Sequence, residues 1–194
     1  MTTPDVIAIL RAMAPPVLEA PPSDWEEGPP VNRAAVLVPL VDHPEGMTVL
    51  FCQRSRHLRR HAGEVSFPGG RIEEGESEIE AALREAAEEI GLDPATVAIH
   101  GRLDTHRAGS GYAMAPVVGI VTPPLRLRPD GVEVDEAFEV PLGFLLDPAN
   151  HKRETMFWRG ADRWYHVWEF GPRYIWGATA MVLLNLLQVL RGER

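Results

Sequence analysis

The chain has 194 residues, 45% of them hydrophobic and 24% charged, and its formal net charge is −9. That composition suits one domain with a sizeable core, and the acidic balance disfavours indiscriminate binding to nucleic acid or acidic membrane surfaces. A single cysteine, Cys52, excludes an intrachain disulfide and suits a reducing compartment; it reads as a small buried apolar residue.

In chain order, residues 4–13 read as a short helix. "APPVLEAPPSDWEEGPP" follows as an extended proline-rich segment. The runs "AAVLVPLV" and "MTVLFCQRS", separated by the turn-like "DHPEG", read as adjacent strands. "HLRRHAGEVSFPGG" reads as a loop with a short strand. A helix starts at Ser77, where Glu80 completes a capping box, and stops at Gly91 and Pro94. Strand-like runs come near 97–104, 112–121 and 133–141, "HVWEF" suggests another, and a last helix covers about 175–191.

The mixture lacks the regular alternation of a doubly wound sheet, so an α+β architecture is expected, with helices covering a mixed β-sheet. The domain is expected to span 34–194, with 1–33 packing on it. The last apolar run, "IWGATAMVLLNLLQVL", is shorter than a membrane span and contains Asn185 and Gln188. With no basic segment leading into an apolar one near Met1, a cytoplasmic location and no membrane partner are expected.

The helix "LREAAEEIGL" concentrates acid. At about 100° per residue, Ile79, Leu83, Ala86 and Ile90 form one stripe, expected to pack on the sheet. Glu85, Glu88 and Glu89 fall opposite, with Glu78 on the same side. Like charges at these spacings repel, and lysine to balance them is almost absent. The glycine-rich "FPGGRIEEGE" leads into the helix. Hard oxygen ligands beside close-approaching backbone suit Mg²⁺ or Mn²⁺. A solvated acidic face is the plainer alternative.

"GGRIEEGESEIEAALREAAEEIGL" resembles the Nudix box: Gly70, Glu76, Arg84, Glu85, Glu88, Glu89, Gly91 and Leu92 fill its pattern, with Ala86 smaller than the usual aliphatic. The resemblance implies an α/β/α sandwich and metal-dependent hydrolysis of nucleoside diphosphate derivatives. It implies Glu85 and Glu89 as leading metal ligands, Glu88 as a helper, a backbone carbonyl of Gly69 or Gly70 as a further ligand, and Arg84 as a brace for the glutamates. "LFCQRSRHLRRHAGEVSFPGG" is similar to the stretch preceding the box in the coenzyme A pyrophosphatase branch, through Ser55, Arg59, Gly63, Phe67, Pro68, Gly69 and Gly70. That similarity implies cleavage of coenzyme A, or a derivative, to adenosine 3′,5′-bisphosphate and 4′-phosphopantetheine. Nucleotide sugars or dinucleotides are the alternative substrates, and a non-catalytic nucleotide-binding module is the alternative class.

Metal ions would neutralise a diphosphate and activate water. The proton acceptor is open among Glu85, Glu133 and Glu136, with Glu88 part of the same acidic machinery. The basic run "RSRHLRRH" is unusual in so acidic a chain. Arg59, with Arg54 or Arg60, is expected to contact phosphate oxygens through its forked guanidinium. His57 and His61 lack a partner at metal-ligand spacing and read as structural or surface residues. "THRAGSGYAM" is a loop that can border the site. Trp158, Trp164 and Trp168 are expected in the core. The oligomeric state is not legible.

Overall fold

The computed structural model describes residues 2–12, 32–108, 111–158 and 160–193. The proline-rich segment at 14–30, and Gly109 and Ser110 of the glycine loop, lie outside them.

"AAVLVPLV" is apolar without alternation because its strand is buried on both faces. It lies in β1 (Asn32–His43), whose Ala35, Leu37 and Val41 face one core while Val36, Val38 and Leu40 face another. β2 (Gly46–Arg54) returns antiparallel beside the second half of β1, and β4 (Gly69–Arg71) pairs with its first half. The two partners diverge in the middle, where Leu37 N–H donates to Pro68 O at 2.9 Å. On its other edge β1 runs parallel to β7 (Tyr112–Val121), which also pairs with β5 (Val97–Arg102) and β6 (His106–Ala108). β3 (Val65–Ser66) and β8 (Val134–Pro141) pair with β2. The result is an eight-stranded mixed sheet.

Helix α2 (Glu78–Ile90) covers one face. Its Ser77 side chain accepts from Glu80 N–H at 3.2 Å, Ser77 N–H donates back to Glu80 at 2.9 Å, and Gly91 ends it at φ 66°. Ser77→Ala removes one half of that reciprocal cap and is expected to cost about 1 kcal/mol, read from the urea midpoint. Its packing stripe keeps Ala86, Ile90 and Leu83 of the one expected but is rotated toward Ala81, Ala82 and Glu89. Ala81, Ala82, Ala86, Glu89 and Ile90 are buried, Leu83 is half-buried and Ile79 is 41% exposed. Small alanines beside Ile90 let α2 approach the strands closely.

The opposite face is covered by α1 (Thr3–Arg11) through Val6 and Leu10, by the short α3 (Leu142–Leu146) and by α4 (Gly177–Leu190). The fold is an α+β sandwich with a mixed sheet between helical layers. No described helix is long and apolar enough to cross a membrane.

The sequence reading finds the end of one strand at "HVWEF" but misses the hairpin to which it belongs. β9 (His151–Trp158) pairs with β10 (Ala161–Phe170), and β11 (Arg173–Ile175) completes a second, three-stranded sheet. β9 is charged and lacks alternation because much of it is exposed. Cross-strand pairs hold it instead: Lys152 with Glu169, Tyr165 with Glu154, and Arg153 over the Trp164 ring at 3.7 Å. Of the three tryptophans expected inside, only Trp168 is buried, stacked on His151 with its Nε1–H donating to Leu145 O. Trp158 and Trp164 are 45% and 54% exposed, because the hairpin carries them away from the main sheet.

Candidate active site

The short strand β4 brings Gly69 and Gly70 against α2. Gly69 N–H donates to Glu89 Oε2 at 3.0 Å. A Cβ on Gly70 would stand 2.5 Å from the Glu85 carboxylate, so that carboxylate lies directly on the Gly70 backbone. Glu85 and Glu89 therefore face the sheet edge, where the sequence reading has them on the side away from it.

Both are held in conditions that oppose ionisation. Glu89 is 5% exposed, and burial pushes its carboxyl up to about 7, against the pull of the Gly69 N–H and Arg54. Burial also raises Glu85, although Arg84 hydrogen-bonds it; Glu133 adds repulsion to both.

Arg84 explains the arrangement of the remaining acids. It donates to Glu76 from Nε at 2.8 Å and Nη2 at 3.0 Å, to Arg71 O at 3.0 Å, and from Nη1 to Glu85 at 3.0 Å and Glu88 at 3.1 Å. Glu76 in turn accepts from Glu73 N–H, and its carboxyl is held below the usual range chiefly by Arg84. The Nη1 group stands between Glu85 and Glu88, and Glu88 is 61% exposed. Arg84 thus separates Glu88 from the patch that the helical wheel predicts for Glu85, Glu88 and Glu89. Among the described residues no three acidic, histidine or cysteine side chains gather closely enough to enclose an ion.

The pair Glu85 and Glu89 still fits a divalent cation. Mg²⁺ commonly takes one or two carboxylates and keeps several waters. Two desolvated neighbouring carboxylates beside a side-chain-free backbone cradle make that kind of donor set.

The turn before β8 supplies Glu133. Asp130 Oδ1 accepts from the N–H groups of Val132, Glu133 and Val134 at 3.1, 3.0 and 2.9 Å, and Gly131 takes φ 69°. Asp130 N–H donates to Glu89 O at 2.9 Å, and Ser55 N–H to Glu133 O at 2.8 Å. The turn is thus fastened both to the end of α2 and to the end of β2. Sequence reasoning missed Asp130, although Asp-Gly is a turn signal whose side chain caps following N–H groups.

Arg54, at the end of β2, stands 3.7 Å from Glu133 and 3.9 Å from Glu89. Glu136 is occupied differently: Arg173 donates to it at 2.5 Å and to Gln53 at 2.8 Å, with its guanidinium over Phe138. Arg173 was also missed, since only the folding of β11 onto the sheet brings it there. Arg59 and Arg60 are exposed on the β2–β3 loop, which is tied to the start of β8 through Arg56 N–H and Asp135. His57 is exposed, and His61 pairs with Glu64 at 3.0 Å.

Glu78 lies about three helical turns from Glu89 and pairs with Arg33 and Arg102. A depression there is lined by those residues with Ser77, Thr105 and Ala113. The described part of the glycine loop therefore borders this depression, away from Glu85 and Glu89.

The NUDIX domain family model matches residues 31–179. The chain is 40% identical over 158 residues to a protein of Escherichia coli strain SMS-3-5 named "Uncharacterized Nudix hydrolase NudL", covering 80% of this chain and 81% of that one. The relative of the same name in strain K12 is 39% identical over the same coverage. Among solved structures, a MutT/nudix family protein from Enterococcus faecalis shares the fold, with a TM-score of 0.54, 17% identity, and coverage of 87% of this chain and 63% of that one. Matched through most of its length, with the box glutamates laid against a glycine strand, this chain belongs to the Nudix hydrolase family.

Proposed function

We propose that the protein hydrolyses the diphosphate bridge of coenzyme A or a derivative, releasing adenosine 3′,5′-bisphosphate and 4′-phosphopantetheine. The observation that carries this reading is the segment at 50–70. Its similarity to the coenzyme A pyrophosphatase branch coincides with its placement: it ends on Gly69 and Gly70, delivers Arg54 to Glu89, and holds Arg59 and Arg60 on a loop tied to the Glu133 turn.

Glu85 and Glu89, with the Gly70 backbone, would hold Mg²⁺ or Mn²⁺, and Glu88 would join them on release from Arg84. A divalent ion there supplies positive charge to the diphosphate and to the attacking water. The chain itself provides the rest. Arg84 fixes the Glu85 side chain. The arginines of the β2–β3 loop bind phosphate oxygens, with Arg59 as the leading contact. Glu133 accepts the proton as water adds to phosphorus and the bridging P–O bond breaks. Of the three candidate bases, Glu133 is the most available: Glu136 is engaged by Arg173, and Glu85 by Arg84 and Gly70.

Purified protein supplied with coenzyme A and Mg²⁺ or Mn²⁺ is expected to release the two stated products, identified by mass spectrometry. Turnover of ADP-ribose or a dinucleotide that equals or exceeds that of coenzyme A would overturn the substrate assignment and favour the nucleotide-sugar or dinucleotide alternative.

A further inference from the structure

Two arginines serve this site, and they are held in opposite ways. Arg84 is locked, with Nε and both Nη groups donating hydrogen bonds. Arg54 is suspended. Its Nη1 lies 3.9 Å from Glu89 Oε1 and its Nη2 3.7 Å from Glu133 Oε2, beyond hydrogen-bond length. Its Nε is buried with no hydrogen bond among the described residues, and the side chain is only 22% exposed. The guanidinium has largely left bulk water without gaining N–H···O bonds in exchange. Charge alone holds it between two elements that share no covalent neighbour, the helix bearing Glu89 and the turn bearing Glu133.

We propose that Arg54 is an internal counter-cation of Glu89 and Glu133: it occupies their negative field until a divalent ion enters, then turns its open donors to the diphosphate. The proposal rests on the metal-site reading given above. An ion bound at Glu89 comes within a few ångströms of the guanidinium, and like charges at that range repel strongly in a partly dry site. Ion and arginine therefore compete for one field. A diphosphate restores the negative charge and lets both cations remain, which couples substrate binding to ion binding in both directions. The planar fork suits two phosphate oxygens and is open to accept them.

The test is a Mn²⁺ titration of the full chain at pH 8.5 without substrate, reading free Mn²⁺ by electron paramagnetic resonance. Arg54→Gln is expected to bind Mn²⁺ about tenfold more tightly than wild type. Arg54→Lys, which keeps the charge, is expected to stay within about twofold of wild type. At saturating Mn²⁺ the glutamine variant is expected to show a KM for coenzyme A raised by about tenfold, because its donors no longer meet phosphate. Should the glutamine variant not fold, Arg54→Met keeps the aliphatic stem and carries the same expectation. Unchanged or weaker Mn²⁺ binding on removal of the charge overturns the proposal. Failure of both the wild-type protein and the glutamine variant to bind Mn²⁺ overturns the metal site itself, and the proposal with it.

Discussion

Glu89→Gln is expected to lose turnover by about a thousandfold, the equivalent of roughly 4 kcal/mol of transition-state stabilisation, and at the same time to make the metal-free protein more stable. Both effects have one cause. Glu89 is buried on the packing face of α2, and burial pushes its carboxyl up to about 7. In the unfolded chain it titrates near the ordinary glutamate value of about 4.3. Between those values the folded protein binds the extra proton, so this group's contribution to stability falls as pH rises from about 4.3 to 7 and is flat beyond. The loss is on the order of 3 kcal/mol. Glutamine still accepts from Gly69 N–H and carries no charge to desolvate. In EDTA its urea midpoint should exceed that of wild type at pH 8 and approach it at pH 4.5. His106 and His166, pushed down to about 4 by burial, make both proteins less stable below about pH 6.5; they cancel in the difference between the two. Added Mn²⁺ should raise the midpoint of wild type and leave the variant unmoved. A variant that hydrolyses at the wild-type rate, or that responds equally to Mn²⁺, would remove Glu89 from the site.

The adjacent glycines are expected to respond to alanine in opposite ways. Gly69 has φ 154°, and a Cβ there would stand 2.4 Å from Ala35 O and 2.6 Å from Val36 Cα. Those are backbone atoms of the central strand β1, fully or nearly fully buried, and cannot retreat. Gly69→Ala is expected to cost on the order of 3 kcal/mol in stability, from overpacking and a disfavoured backbone conformation. In a chain of this size that lowers the melting temperature by roughly 6–12 °C. The atoms nearest a Cβ on Gly70 are those of the Glu85 carboxylate, from 2.5 Å. That group ends a flexible side chain, which can swing aside at little cost to the fold. Gly70→Ala should therefore keep a near-wild-type melting temperature and lose turnover by about a hundredfold, the scale of an ångström-sized misplacement of a functional group. If Gly70→Ala retained full activity per folded molecule, the contact of Glu85 with the Gly70 backbone would have no part in the chemistry.

These two positions show where sequence reasoning reaches its limit. "FPGG" marks close backbone approach, but not that Gly69 meets β1 while Gly70 meets Glu85. Those partners come from a strand and a helix about 15–35 residues away on either side. The helical wheel likewise gives Ile79, Leu83, Ala86 and Ile90 to the core, and of these Ile79 stays exposed. The sheet kept Ala86 and Ile90 of that stripe but rotated the contact toward Ala81 and Ala82, which allow close approach. That rotation turned Glu89 inward.

The basic loop was visible as composition, yet its anchoring on Glu133 O and Asp135 was not. Neither the Arg173–Glu136 pair nor the exposed β9–β10 hairpin has a local pattern to announce it. The pair joins residues far apart in sequence, and the hairpin is held by cross-strand contacts rather than by periodic burial.

By itself the sequence determined what depends on near neighbours along the chain. The boundaries of α2 follow from Ser77, Glu80 and Gly91, whose hydrogen bonds and backbone angles are local. The doubly buried character of β1 follows from its unbroken apolar run. The box spacing places Glu85 and Glu89 one turn apart. Tertiary structure alone decided which way those carboxylates point, which acid is left available as Glu133, and which arginine is locked and which suspended. Orientation is set by the packing of α2 on the sheet, and the electrostatic environment by burial and by charges arriving from separate strands. A linear spacing encodes neither.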